Sequence, residues 1–148
     1  MNRRDALKTS GAMAISASLG AIACGARNAV AQAPHVHVTG DPALIDTAFD
    51  CLKKGEACHE HCAQMLSSGD TSMVACFAAV RDMLAVSTAL SKMATSNSPH
   101  LPAIARATAE VCTACEAECR KHAEHHAVCR DCADACARTT AACRKVTG

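Results

Sequence analysis

A chain of 148 residues with 15 Lys and Arg against 14 Asp and Glu carries a formal net charge of +1, which argues against a nucleic acid or an anionic membrane surface as partner. Twelve cysteines and only two aromatic residues, Phe49 and Phe77, exclude an ordinary core of large side chains: alanine and cysteine bury little area each, so something bound inside could make up the deficit. The length suits one domain.

The first 31 residues read as an export peptide. A twin arginine, Arg3-Arg4, lies in the run Asn2-Arg3-Arg4-Asp5-Ala6-Leu7-Lys8, and a small-residue apolar stretch follows from Gly11 to Ala23. This is a Tat-type address, with Ala6 where a bulky apolar residue is usual, and that route carries proteins already folded in the cytoplasm. The stretch is too short to span a bilayer comfortably. Ala29-Val30-Ala31 supplies the small-x-small pattern for cleavage and places the mature start at Gln32, in the periplasm. Cys24 follows Ala21-Ile22-Ala23 as a lipoprotein cysteine would, but position 21 lacks the usual leucine, and Cys24 reads as a small residue in a discarded peptide. No membrane span is expected in the mature chain.

Residues 32–40, with Pro34, His35, His37 and Gly40, show no apolar periodicity and read as a flexible mature N-terminus. The bundle proper is expected over 41–148. Asp41-Pro42 gives an N-cap with proline at the first helical position, opening a helix to about Ser67. Ser68-Gly69-Asp70 ends it, and Asp70 can cap a second helix over about 71–94. The cluster Thr95-Ser96-Asn97-Ser98-Pro99 breaks the chain again. A third helix is expected over about 100–122, a histidine-rich turn over 123–126 and a fourth helix to about Val146. Short loops make sequential helices antiparallel neighbours, so the fold class is all-α, an antiparallel up-down-up-down four-helix bundle.

Helical periodicity turns the cysteines inward. Cys51, Cys58 and Cys62 share a stripe with Leu44 and Met65, and Cys76 shares one with Val80, Met83, Ser87 and Leu90. Cys112, Cys115 and Cys119 make a third stripe; Cys129, Cys132, Cys136 and Cys143 make a fourth. Counting depth from the loops centred near Gly69 and Glu124 places Cys62, Cys76, Cys119, Cys129 and Cys132 nearest that end. Cys58, Cys112, Cys115 and Cys136 come next, and Cys51 and Cys143 sit together furthest down. The column is roughly 20 Å long at about 1.5 Å per residue.

Three uses of these thiols compete. Cu(I) ranks first: it is soft, prefers thiolate and accepts two or three ligands, and one ion per thiolate cancels the charge of a low-dielectric core. A disulfide framework ranks second, since that device belongs to short, loop-rich chains, an odd number cannot all pair, and same-helix i,i+4 neighbours suit the disulfide torsion poorly. Zinc or an iron–sulfur cluster ranks third, because each wants four ligands around one compact site, and a column is expected to offer no closed cage.

The Gly69–Glu124 end also collects His61, Met65, Met73, His122, His125 and His126. It reads as a mouth whose weaker thioether and imidazole donors pass ions inward; for Met65 and Met73 packing is an equal reading, and for the histidines solvation leads. Met83 and Met93 read as core. The carboxylates Glu56, Glu60, Glu110, Glu116, Glu118 and Asp134 interleave with Lys and Arg as solvated surface. No catalytic constellation is visible, and no enzymatic role is expected.

The patterns Cys51-x3-Gly55-Glu56-x-Cys58-x2-His61-Cys62-x2-Met65, Met73-x2-Cys76, Val111-Cys112-x2-Cys115-x3-Cys119 and Cys129-x2-Cys132-x3-Cys136 resemble the copper storage proteins, a cysteine-rich four-helix-bundle family whose exported members carry Tat signals. The resemblance covers nearly all of the mature chain. It implies a homotetramer of bundles that store several Cu(I) ions each, for supply to a copper enzyme or for detoxification. Carried over by position, it implies all eleven mature cysteines as ligands, with Met65, Met73 and a histidine such as His61 assisting uptake at the open end. Ser87 departs from the pattern, standing where such proteins can carry another cysteine, and implies fewer sites in the deepest layer.

Overall fold

In the computed structural model, residues 40–147 are described; the expected signal segment and cleavage point, Cys24, and the histidines His35 and His37 lie outside the described residues. Four helices follow in order: α1 (Pro42–Ser67), α2 (Val74–Thr95), α3 (Leu101–Arg120) and α4 (Ala127–Lys145). No strand occurs among the described residues.

The helix ends follow their local chemistry. The Asp41 carboxylate accepts from the Ala43 amide at 3.0 Å, with Pro42 opening the first turn. At the other end of α1 the Gly69 amide donates to the Leu66 carbonyl and the Asp70 amide to Met65, both at 3.0 Å. This pair of bonds requires a left-handed residue between them, and Gly69, at φ 95°, supplies it. The end of α2 repeats the device with Asn97 at φ 48°, whose amide donates to Ala94 while that of Ser98 donates to Met93. Asp70 caps as expected, accepting from the Ser72 amide, but it opens a short 3₁₀ turn (Thr71–Met73) that leads into α2. α3 stops at Arg120, two residues earlier than the periodicity suggests, and the turn spans 121–126.

Each helix packs on two others, α1 on α2 and α4, α3 on α2 and α4, so the four stand at the corners of a square. Short turns make sequential helices antiparallel, and α1 and α4 run so too: along α1, Asp50, Lys54 and His61 meet Arg138, Asp131 and His126 in descending order on α4 and the turn before it. Ion pairs lie on the outside, Lys54 to Asp131 at 2.9 Å and Arg120 to Asp134 at 2.7 Å among them. At such exposure solvent screens them, and they add little to stability.

The segment Thr71–Thr95 is long and apolar enough, by length and composition alone, to cross a membrane. Within the bundle Cys76, Val80, Met83 and Leu90 are buried, while Arg81, Asp82 and Lys92 are exposed.

The interior divides lengthwise. Toward the end bearing the Gly69 and His-rich turns, ten cysteines pack with Met73, Val80 and Met83; at the other end Leu44, Ala48, Leu90, Ala94, Leu101 and Ala105 form an aliphatic floor that includes Cys143. Phe49, one of the two aromatic side chains, is 54% exposed and contributes little to either.

Candidate metal centre

All eleven described cysteines are buried and none is disulfide-linked. Helical spacing brings them inside: Cys51, Cys58 and Cys62 fall within one narrow arc of α1, and the cysteines of α3 and α4 recur at three or four residues. Their sulfurs gather into four groups in which every sulfur lies within 4.8 Å of the others: Cys58, Cys62, Cys76 and Cys129; Cys58, Cys119 and Cys132; Cys115, Cys132 and Cys136; Cys51, Cys112 and Cys136. Cys58, Cys132 and Cys136 each belong to two groups. Sharing them joins ten thiols into one unbroken path along the bundle axis.

The layering differs from a count of residues out from the loops. Cys112 stands a layer deeper than that count places it, grouped with Cys51 and Cys136. Cys143, expected beside Cys51, joins none of the four groups and packs with Leu44 and Leu90 in the aliphatic floor. The count assumes that all helix ends are level, whereas α1 is shifted along the axis relative to α3 and α4.

A second expectation also changes. The column was expected to offer no closed four-ligand cage, yet Cys58, Cys62, Cys76 and Cys129 form one, because α1 presents two thiols a turn apart to single thiols of α2 and α4. The size suits one tetrahedral ion, but four thiolates around Zn²⁺ leave two surplus negative charges. Among the described residues the buried polar side chains are only Ser87, Ser91, Thr108, Thr139 and Thr140, so no buried protein cation offsets them.

Thiol protons are held unevenly along the path. Cys76 Sγ lies 3.6 Å from Cys119 Sγ, and Cys58 Sγ lies 3.8 Å from Cys129 Sγ. Bonds from neighbouring thiols, Cys112 first, hold Cys51 well below the ordinary thiol range, and Cys129 does the same for Cys62. Cys115 leads in holding Cys119 down to about 6. Thiols that keep their protons sit between them: Cys119 and Cys129 raise Cys58, and Cys112 and Cys115 raise Cys136. Bonds between buried thiols thus favour the thiolate at some positions and the thiol at others along the path.

At the end nearest the turns, His61 Nε2 lies 2.9 Å from His126 Nδ1, and the His122 ring meets that of His126 edge-on with centroids 6.4 Å apart. Met65 is half-buried against the thiol cluster, and Met73 is fully inside it. His125 faces solvent. The structure therefore brings His61, His122, His126 and Met65 to the rim, places Met73 below it and leaves His125 outside.

Met83 is core, as read from the sequence, and its Sδ also lies 3.3 Å from Cys51 Sγ, a contact the sequence did not reveal. The available signal was its place on the Cys76 stripe, seven residues on.

Among known proteins, a family model described as copper storage protein matches residues 38–148. A comparison with curated proteins finds no match. Solved structures similar to this chain include three of copper storage proteins. The Cu(I)-bound copper storage protein BsCsp3 shares 28% identity over 72% of this chain and 96% of its own, with a TM-score of 0.66. Apo-Csp3 from Bacillus subtilis shares 29% over 72% and 97%, with a TM-score of 0.62. The copper storage protein Ccsp from Streptomyces lividans, loaded with 10 copper equivalents, shares 29% over 70% and 80%, with a TM-score of 0.64.

Proposed function

This chain belongs to the copper storage protein family and holds multiple Cu(I) ions as its cargo, and we propose that the ten clustered thiols are the atoms that hold them. The observation that carries this assignment is a path of ten buried sulfurs, joined through Cys58, Cys132 and Cys136, with no buried cation among the described residues. Each thiolate formed there needs a compensating positive charge. A soft monovalent ion shared between two or three sulfurs provides it one for one, which a divalent ion in a tetrathiolate cage does not.

Ions enter past His61, His126 and Met65, meet Met73 and the Cys58–Cys62–Cys76–Cys129 group, and pass inward through the shared thiols. The protein works by binding rather than turnover. The Arg3-Arg4 signal supports export by the Tat route, folded, to the periplasm, and the family resemblance supports a homotetramer that supplies a copper enzyme or sequesters excess metal. Anaerobic titration of the reduced protein with Cu(I), followed by gel filtration, tests the assignment. About ten ions per chain should co-migrate, one for each clustered thiol; one ion or none ends it.

A further inference from the structure

We propose that Met83 is a copper ligand, its thioether joining Cys51 and one of Cys112 and Cys136 in a three-coordinate Cu(I) site at the inner end of the thiol path; this rests on the storage reading above. At that depth α1, α3 and α4 each present a cysteine, Cys51, Cys112 and Cys136, to the bundle axis. The fourth corner belongs to α2, which presents Met83 and Ser87 there.

Met83 Sδ stands 3.3 Å from Cys51 Sγ, closer than the hydrogen-bonded thiol pairs elsewhere in the path, at 3.6 to 4.0 Å. Ser87 Oγ lies 3.4 Å from the thioether sulfur and 3.8 Å from Cys51 Sγ, donating to either, so the hydroxyl supports the pair from the same helix face. The side chain is also seated. A Cβ on Gly55 would collide with the Met83 ε-methyl and crowd Leu84, so the bare backbone of α1 is the notch that receives the methyl. With the methyl lodged there and the residue fully buried, the sulfur stays on the Cys51 side.

The chemistry suits the position. A thioether is soft, so it accepts Cu(I) readily and Zn²⁺ poorly, and it is neutral. A fourth thiolate here would add uncompensated charge beside the aliphatic floor of Leu44 and Leu90. Met83 completes the coordination of an ion without that cost. In place of a simple loss of capacity at Ser87, the deepest layer then keeps a site of mixed thiolate and thioether character.

The test uses the full chain, reduced, with ¹³C-labelled methionine methyl groups and stepwise anaerobic addition of Cu(I). The Met83 methyl resonance, assigned through its proximity to Gly55, should move as the path fills and stay in place when Zn²⁺ is added instead. Met83→Leu, which keeps the volume and removes the sulfur, should bind one ion fewer than the parent protein. A methyl resonance that keeps its apo position at copper saturation overturns the proposal, as does full capacity in the variant. If the variant does not fold, the resonance in the parent protein decides. Failure of the storage reading is distinct: the parent protein would then bind one copper ion or none.

Discussion

His61 Nε2 and His126 Nδ1 stand 2.9 Å apart, tying α1 to the residue that precedes α4. His126 caps α4 without a side-chain cap bond because its ring is turned to His61 instead. The pair places two borderline donors over the Cys62 end of the thiol path. His61→Ala removes one of these donors from the entry path, and about 1 kcal/mol lost at the entry step should slow Cu(I) uptake about fivefold while capacity stays unchanged. Stopped-flow uptake from a weak Cu(I) complex measures the first, and equilibrium titration the second. An unchanged rate returns both rings to the role of solvated surface.

Cys58 and Cys143 should behave oppositely. Cys58 belongs to two thiol groups, and its removal breaks the link between the four-thiol cage and the rest of the path. Cys58→Ala should therefore lose at least one ion and slow the filling of the inner groups. Cys143→Ala touches none of the four groups and should retain full capacity. Its cost is packing among Leu44 and Leu90, about 1 kcal/mol for one small buried side chain. Copper counted per chain after gel filtration separates the two, and a loss in the Cys143 variant would extend the path into the aliphatic floor.

Cys143 also predicts a pH dependence of the apo protein. Burial, with a smaller contribution from Cys51, pushes its thiol from 9.0 up to about 11. The folded state then keeps a proton that the unfolded chain gives up, so this contribution is fully present below pH 9 and is lost as pH rises from 9 through 11. Urea midpoints of the apo protein at pH 8 and pH 10.5, compared with those of Cys143→Ala, isolate it. The variant should lose less stability across that interval than the parent; an equal loss would remove Cys143 from the account.

Metal removal should destabilise without unfolding. The core holds ten small thiols where bulkier side chains usually sit, and its largest fully buried residues are Leu44, Met73, Met83 and Leu90. Ions bound only by the folded state add about 2.7 kcal/mol for a single site at one hundred times its Kd, and more for several sites. Copper-loaded protein should therefore melt more than about 10 °C above the apo form, with the same helical signal at 20 °C. Calorimetry and circular dichroism on the two forms check it. Equal melting temperatures would mean that the ions are not held in the core.

The sequence alone determined the four helices, their limits to within about three residues and the direction in which their thiols face. Asp41-Pro42, Gly69 and Asn97 act within a few residues of their own positions, and helical period alone sets which cysteines share a face, so both were legible before any packing was known. Tertiary structure decided which thiols meet. Counting outward from Gly69 and Glu124 puts His61 about six residues deeper than His126, yet the two rings touch, so α1 is displaced along α4 by about 9 Å at 1.5 Å per residue. That shift carries Cys51 to the level of Cys112 and Cys136, leaves Cys143 among leucines, and faces Met83 toward Cys51 across the notch at Gly55. Axial offset arises from side chains interlocking between helices far apart in the chain, and no local signal encodes it.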